Sequence, residues 1–558
     1  MSNIRYELVY TAGMKAFTST DYNIHNDIHK QYKFYEQTLL SDKSLTEDEK
    51  TEAIKILYKF YDRDKIIYNS GTKRICENCN QECLATSYCE YCVRNYLKKK
   101  FSNWTSENND IDNLIQKCQM ETFIPSKIIE WIPYNNLKDI KYLTKGGFSE
   151  IYTAIWIDGK YEEWDSKKQQ LIRFGTHKVI LKRLENVKCA NRNWFEEAKS
   201  HLTISNKWED IVRCYGLTQD LLNGNYMLVM RKMDFDLRKY LQQNHNQLTW
   251  KERIKIIYEI INAIYKIFKE NAIHRDLHSG NILYSQFNDY WYISDLGFCG
   301  PADKSSKSIY GNLPYIAPEI IAGNEYTFAS DIYSIAMLMW EISSGQPPFI
   351  DHEHDYNLAM KIINGMRPKI VSATPLEYKI LMKQCWNADP LKRPNIKTLK
   401  KQIREIHLSF QNMQNELLQP KINKINGLET NYINDRSSSS GIYKFENLPE
   451  PRNATEEEQE GYYSKSYDFT IPDNIDDFDK LNTQNGDISI KVNSKRLSQI
   501  FETSQVNLNY DVRDYYKKEA IRQQMKGTMI NINDENEIHN NPNLHSEEQN
   551  KLEIPYEL

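Results

Sequence analysis

No long apolar run interrupts this 558-residue chain. Its most apolar stretch, IYSIAMLMWEI at 332–342, is broken by a serine and is too short to cross a bilayer, so no membrane span is expected. The N-terminal MSNIRYELVYTAG has neither the basic flank nor the apolar block of a secretory signal. An intracellular protein is therefore expected, cytoplasmic with the nucleus also open. Excess charge of one sign is missing too. Lysine and arginine number 72 against 76 acidic residues, a formal net charge of −4, which argues against general nucleic-acid binding. The ten cysteines do not form a disulfide framework. Four fall in two close pairs; others, among them Cys189, Cys214, Cys299 and Cys385, are scattered as small buried hydrophobes in a reducing compartment would be. No internal repeat is present, and the length calls for more than one folded region.

Five regions follow from pattern and composition. Residues 1–70 read as helical, with one clear helix in SLTEDEKTEAIKILYKFY. A capping box of Ser44 and Glu47 opens it, and Ile54, Leu57, Tyr58 and Tyr61 share one face. Residues 71–103 contain CENCNQECLATSYCEYC. Here Cys76-x2-Cys79 and Cys89-x2-Cys92 stand nine residues apart, two knuckles able to grip a tetrahedral Zn²⁺ from both sides. Four protein ligands leave no open position, so such a site is structural or serves a partner; Cys83 is a spare thiol. The basic RNYLKKK that follows reads as a solvated face. Residues 104–136 form a linker with a helix at DIDNLIQKCQM. From 137 to 408 strands (LTKGGFSEIYTAIW, HKVILKRL, NYMLVMRKM) give way to helices such as DIYSIAMLMWEISSG, closed by a glycine C-cap. The tail, 409–558, is rich in Asn, Ser, Asp and Glu and is expected to be mostly disordered, apart from a possible partner helix at 509–527.

Within 137–408 lies an ordered series of chemically suggestive pieces. LTKGGFSEIY bends at Gly146 and Gly147, where backbone without a Cβ can approach phosphate. VILK ends a strand on the point cation of Lys182, and Glu197 on a following helix can pair with it. In HRDLHSGN, Asp276 can accept a hydroxyl proton while Asn281 offers an amide oxygen to a metal. Asp295 in SDLGF supplies the hard oxygen that Mg²⁺ prefers. APE follows at 317–319.

This series resembles the eukaryotic protein kinase domain, motif by motif and in family order, over about half the chain. SDIYSIAMLMWEI places Asp331 at the family's F-helix aspartate, and in CWNADPLKRP Arg393 would pair with Glu319. The LMWEI and CW…RP wording is similar to the tyrosine-kinase-like group of mostly Ser/Thr kinases, and the preceding CxxC pairs to an expanded fungal family of them. The resemblance implies an α+β, bilobal fold with a β-rich small lobe and a helical large lobe. It implies ATP with Mg²⁺ as cofactors, a structural Zn²⁺ upstream, and unidentified protein substrates; no nucleic acid is expected, and the oligomeric state is open. Lys182 and Glu197 would orient the ATP phosphates, Asp276 would be the catalytic aspartate, and Asn281 with Asp295 would hold Mg²⁺. Ile151, Ile180 and Leu283 would sandwich adenine, with Met230 as gatekeeper and Met233 at the hinge.

Departures from the family pattern are Thr144 and Ser149 for loop glycines, Ile180 for alanine, Leu296 for phenylalanine, Asn312 for threonine and His278 for lysine. An imidazole at 278, neutral most of the time near pH 7, could donate a hydrogen bond but only partly supply the charge a lysine would bring to the γ-phosphate. Two readings stay open: a Ser/Thr kinase in intracellular signalling, tuned by His278, or a weak or inactive pseudokinase acting as a scaffold. Arg275 would receive a phosphate on the activation segment, where Ser305, Ser306, Ser308 and Tyr310 are candidates. RSSSSG and SKRLSQ in the tail offer further acceptors.

Overall fold

The computed structural model describes residues 4–20, 24–122, 124–146, 149–184, 194–286, 289–301, 309–412, 440–445 and 448–463. A six-stranded sheet organises the small lobe, in the order Glu130–Trp131, Cys214–Gln219, Tyr226–Arg231, His177–Arg183, Glu150–Trp156, Leu137–Lys145. The β-branched and aromatic runs expected as strands all lie in it. Its one parallel pair sets Glu130 against Gly216. Only glycine fits there: φ is +153°, and a Cβ would sit 1.8 Å from the Glu130 carbonyl oxygen. The helix Asn109–Glu121 and the helix Trp194–Lys207 share one apolar core with this sheet, through Ile111, Leu114, Ile115, Ala198 and Leu202. Packing therefore crosses the boundary expected at residue 137. Ile111, Leu114, Ile115, Cys118 and Ile129, from the 104–136 stretch expected as a linker, lie in the small lobe's core, where sheet residues and the helix that carries Glu197 cover them.

The large lobe is built around Phe328–Ser344, a helix buried along nearly its whole length, with Trp250–Lys269 and Leu376–Cys385 packed on it and Ile396–Asn412 packed on those two. As expected, this helix ends at Gly345, with φ +76°.

The N-terminal region holds three helices where one was expected: Tyr6–Thr18, Ile28–Ser41 and Glu47–Ile67. Their shared core is largely tyrosine and alanine with Leu39 and Leu57, a pattern that reads weakly as an apolar stripe. The capping box lies two residues beyond the expected one. Thr46 accepts from the Glu49 amide (3.3 Å) and Glu49 accepts from the Thr46 amide (2.9 Å), while Arg5 pairs with the same carboxylate. Ser44 is instead bound to Asp42 in the preceding turn. The cysteine segment packs through Leu84, Tyr88, Val93 and Leu97 against Trp164 and Leu171 on an added hairpin, Tyr161–Asp165 with Gln170–Arg173.

One stretch of the low-complexity tail is packed. Residues 440–445 and 448–463 run over the large lobe, with Ile442, Tyr443, Phe445, Leu448, Tyr462 and Tyr463 against its core. These aromatic and aliphatic side chains supply apolar area that the flanking composition lacks. The helix expected at 509–527 lies outside the described residues.

Candidate active site

Three strands and one helix bring the small-lobe groups together. Register pairs Lys182 with Ile151 on one side and Leu228 on the other, which fixes its strand position above the cleft. Its ammonium lies 2.8 Å from Glu197 and 2.5 Å from Asp295, with both Lys182 and Glu197 buried. A desolvated cation between two carboxylates is tightly held. Gly146 donates to the Ser149 carbonyl across the loop turn, whereas Gly147 lies outside the described residues. Ile180, Met233 and Leu283 pack against one cluster with Met230, and Ile151 is half-buried on the neighbouring strand.

The catalytic-loop groups are anchored from below. Asp331, buried in the large-lobe helix, accepts from the His274 amide (2.7 Å) and the Arg275 amide (3.0 Å). Arg275 has φ +67°, so this double bond holds a strained turn in place. The Asn281 side-chain nitrogen donates to the Asp276 carbonyl (2.9 Å), and the Asp276 amide donates to His274 Nδ1 (3.3 Å). With its nitrogen so engaged, Asn281 offers its amide oxygen as a ligand. That oxygen and the Asp295 carboxylate form the hard donor set that Mg²⁺ takes, so Asn281 and Asp295 would hold it; bound there, the metal would neutralise charge on the phosphates.

His278 is buried, and desolvation together with the Arg238 cation pushes its pKa down to about 3. It is thus a neutral imidazole at physiological pH. Its Nδ1 accepts from the Gly280 amide (3.1 Å), which leaves the ring proton on Nε2. His245 is likewise held near 4 by burial and the adjacent Arg253. Unfolded imidazoles titrate near 6.5, so below that pH the unfolded chain binds protons that the fold refuses. The two imidazoles should therefore cost stability from about pH 6.5 downward, His278 alone contributing about 2 kcal/mol of loss by pH 5. Urea titrations at pH 7 and pH 5 check this, and His278→Asn should lose less than the wild type on acidification.

Among regulatory candidates, the Arg275 guanidinium donates to the Phe298 carbonyl (3.3 Å) and lies 5.9 Å over the Tyr326 ring. Tyr310 is buried in a stack between Phe298 and Tyr326, so its hydroxyl is not presented to another enzyme. Ser305, Ser306 and Ser308 lie outside the described residues. Reading the sequence missed two groups in this site. His201, one turn beyond Glu197, accepts from the Leu296 amide (3.2 Å) and ties that helix to the DLG turn; i,i+4 spacing from Glu197 was its only sequence signal. Ser440, from the serine run of the tail, donates to Asp276 at 2.8 and 2.9 Å.

The upstream cysteines converge as their spacing requires. Sγ atoms of Cys76, Cys79, Cys89 and Cys92 all lie within 4.8 Å of one another, with Cys76–Cys92 at 3.7 Å and Cys79–Cys89 at 3.6 Å. Zn–S bonds of about 2.3 Å in a tetrahedron put sulfurs roughly 3.8 Å apart, whereas a disulfide needs about 2.05 Å. The four thiols fit zinc, and Asn78 adds a side-chain bond to the Cys92 sulfur (3.3 Å). Purified protein should carry about one zinc per chain by elemental analysis, and Cys89→Ser should lower that to a small fraction.

Residues 137–403 match the family profile described as protein tyrosine and serine/threonine kinase. Among curated relatives, "Probable serine/threonine-protein kinase roco5" of Dictyostelium discoideum is 29% identical over 326 residues, 54% of this chain and 11% of that one. A dual serine/threonine and tyrosine protein kinase of Mus musculus is 30% identical over 212 residues, 36% and 22% of the two chains. The dual specificity protein kinase zakA of Dictyostelium discoideum is 29% identical over 192 residues, 31% and 25%. This chain thus spans a quarter or less of the length of each of these relatives. No helix among the described residues is long and apolar enough to cross a membrane. With a Lys182–Glu197 pair, an Asp276–Asn281 loop and Asp295 in one cleft, and with that match, residues 137–403 belong to the protein tyrosine and serine/threonine kinase family.

Proposed function

We propose that this chain is a protein kinase that transfers the γ-phosphate of Mg²⁺-bound ATP to serine or threonine hydroxyls of other proteins, inside the cell and in the service of signalling. The observation that carries it is Lys182 held between Glu197 and Asp295 while the Asp276 carboxylate accepts a hydrogen bond from the Ser440 hydroxyl. The phosphate-binding cation and the proton acceptor are thus assembled together, which a scaffold has no need of. In this reading Lys182 and Glu197 orient the phosphates, Asp276 takes the hydroxyl proton, and Asn281 and Asp295 bind metal. Met230, Met233, Ile151, Ile180 and Leu283 receive adenine, with Gly146 and Gly147 covering the phosphates. Phosphorylation among Ser305, Ser306 and Ser308, read by Arg275, is part of the same proposal, as is a structural or partner-binding role for the zinc segment. The test is transfer from radiolabelled ATP to a degenerate serine/threonine peptide library by the full chain. Magnesium-dependent labelling lost in Lys182→Met supports the kinase; no labelling under any metal would leave the chain a scaffold.

A further inference from the structure

The channel in front of Asp276 is filled by the chain itself. Gly441–Tyr443 pairs antiparallel with Ile309–Gly311, in the register Ile309 to Tyr443, Tyr310 to Ile442 and Gly311 to Gly441. That register brings Ser440 to the catalytic loop. Its Oγ donates to the Asp276 carboxylate (2.8 and 2.9 Å) and lies 3.2 Å from His278 Nε2. Because His278 Nδ1 already accepts from Gly280, Nε2–H is the donor to Ser440 Oγ. The hydroxyl therefore gives its proton to a buried carboxylate and has its oxygen aligned by a neutral imidazole. This is the bonding of a nucleophile about to be deprotonated.

Beyond Ser440 the segment is secured by side chains and backbone alike. Tyr443 stacks on Phe445 (5.7 Å between centroids), and Phe445 meets the Tyr356 ring. The Arg452 amide donates to the Ile363 carbonyl (3.0 Å), Asn453 accepts from the Ala388 amide (2.9 Å), and Gln459 accepts from the Arg367 amide (3.2 Å). Where the segment crosses Gly365, a Cβ would stand 2.2 Å from the Ala454 nitrogen, so the large lobe leaves room for this backbone at that one position.

We propose that Ser440 is a phosphoacceptor of its own active site, and that residues 441–445 are the tethered substrate strand that presents it. The inference rests on the kinase reading above and names a substrate of that site. In the step, Ser440 Oγ bonds to the γ-phosphorus of Mg²⁺-ATP as the bond from that phosphorus to the ADP oxygen breaks. The hydroxyl proton passes to Asp276 and ADP leaves. Asp276 then passes that proton to solvent, so the product's phosphate dianion stands beside a carboxylate, and like charges at that distance drive the strand away from it. Until then the strand excludes other substrates, so acceptor sequences in trans should follow its pattern: a small residue after the serine, then an aliphatic, with aromatics three and five residues on.

The test follows the full chain with Mg²⁺-ATP and a serine peptide of that pattern, mapping phosphosites by mass spectrometry over a hundredfold range of protein concentration. Expected is phosphate on Ser440 at a rate independent of protein concentration, as a tethered reaction requires. Ile442→Asp should slow that modification about tenfold by weakening the strand and should speed transfer to the peptide. Transfer to the peptide with Ser440 left unmodified, or modified at a rate proportional to protein concentration, would overturn the proposal. No transfer to either acceptor means instead that the kinase reading has failed, and the tethered-acceptor proposal with it.

Discussion

Asp276→Asn should lower the rate of phosphotransfer about 10²–10⁴-fold while leaving Mg²⁺-ATP affinity close to that of the wild type. The substitution is nearly isosteric, and the bonds that position this residue run through its backbone: the amide to His274 Nδ1 and the carbonyl from Asn281. The loop therefore keeps its shape. What is lost is an anionic acceptor for the hydroxyl proton, in a place where burial magnifies the difference. An asparagine can accept a hydrogen bond from serine but cannot take its proton. Single-turnover transfer to a serine peptide measures the rate, and calorimetric titration with nucleotide measures the affinity. A variant that keeps wild-type turnover would remove Asp276 from the chemistry.

Arg393→Ala should destabilise the large lobe by about 3–5 kcal/mol. Arg393 meets Glu319 through two parallel bonds, 2.7 and 2.6 Å, with its side chain fully buried and that of the glutamate nearly so. The same guanidinium donates to the carbonyls of Asn387, Ala329 and Ala388, so five acceptor oxygens lose their donor together. The pair itself gains little over an apolar substitute, because both charges were desolvated to form it. Breaking it is another matter, since Glu319 would remain as an uncompensated buried carboxylate. Thermal unfolding should move down by on the order of 10 °C, and Arg393→Met combined with Glu319→Met should recover much of the loss. If the single variant melts with the wild type, the buried pair is not what joins the short helix Pro318–Ile321 to the loop at 387–393.

Much of the active site was legible in the sequence. Lys182, Glu197, Asp276, Asn281 and Asp295 are marked by residue type at a characteristic order, and each stands in a short local motif on a strand, a helix or a tight loop. The structure brings Lys182, Glu197 and Asp295 into direct contact, and ties Asn281 to Asp276. The cysteine spacing is local in the same way, and its four sulfurs meet. Periodicity was a weaker guide among the N-terminal helices. Tyrosine-rich faces read weakly as core, and with two hydroxyl residues near one helix start the sequence reading took Ser44 and Glu47 where the structure uses Thr46 and Glu49.

Ser440 shows where local reading ends. In the sequence it is the last of four serines in a polar tail, with no feature separating it from its neighbours. Its place follows from a pairing between residues 130 to 134 positions apart, and from aromatic side chains that find partners only on the finished large lobe. His278 is a similar case. Residue type alone says that a lysine is missing, while burial and the Gly280 amide determine that the ring is neutral and which nitrogen carries its proton. The sequence by itself thus determined the fold family and the chemical groups of the cleft, because backbone propensity and motif spacing act over a few residues. Tertiary structure alone decided which hydroxyl faces Asp276 and in which protonation state His278 meets it, because long-range strand pairing and desolvation exist only once the chain has closed on itself.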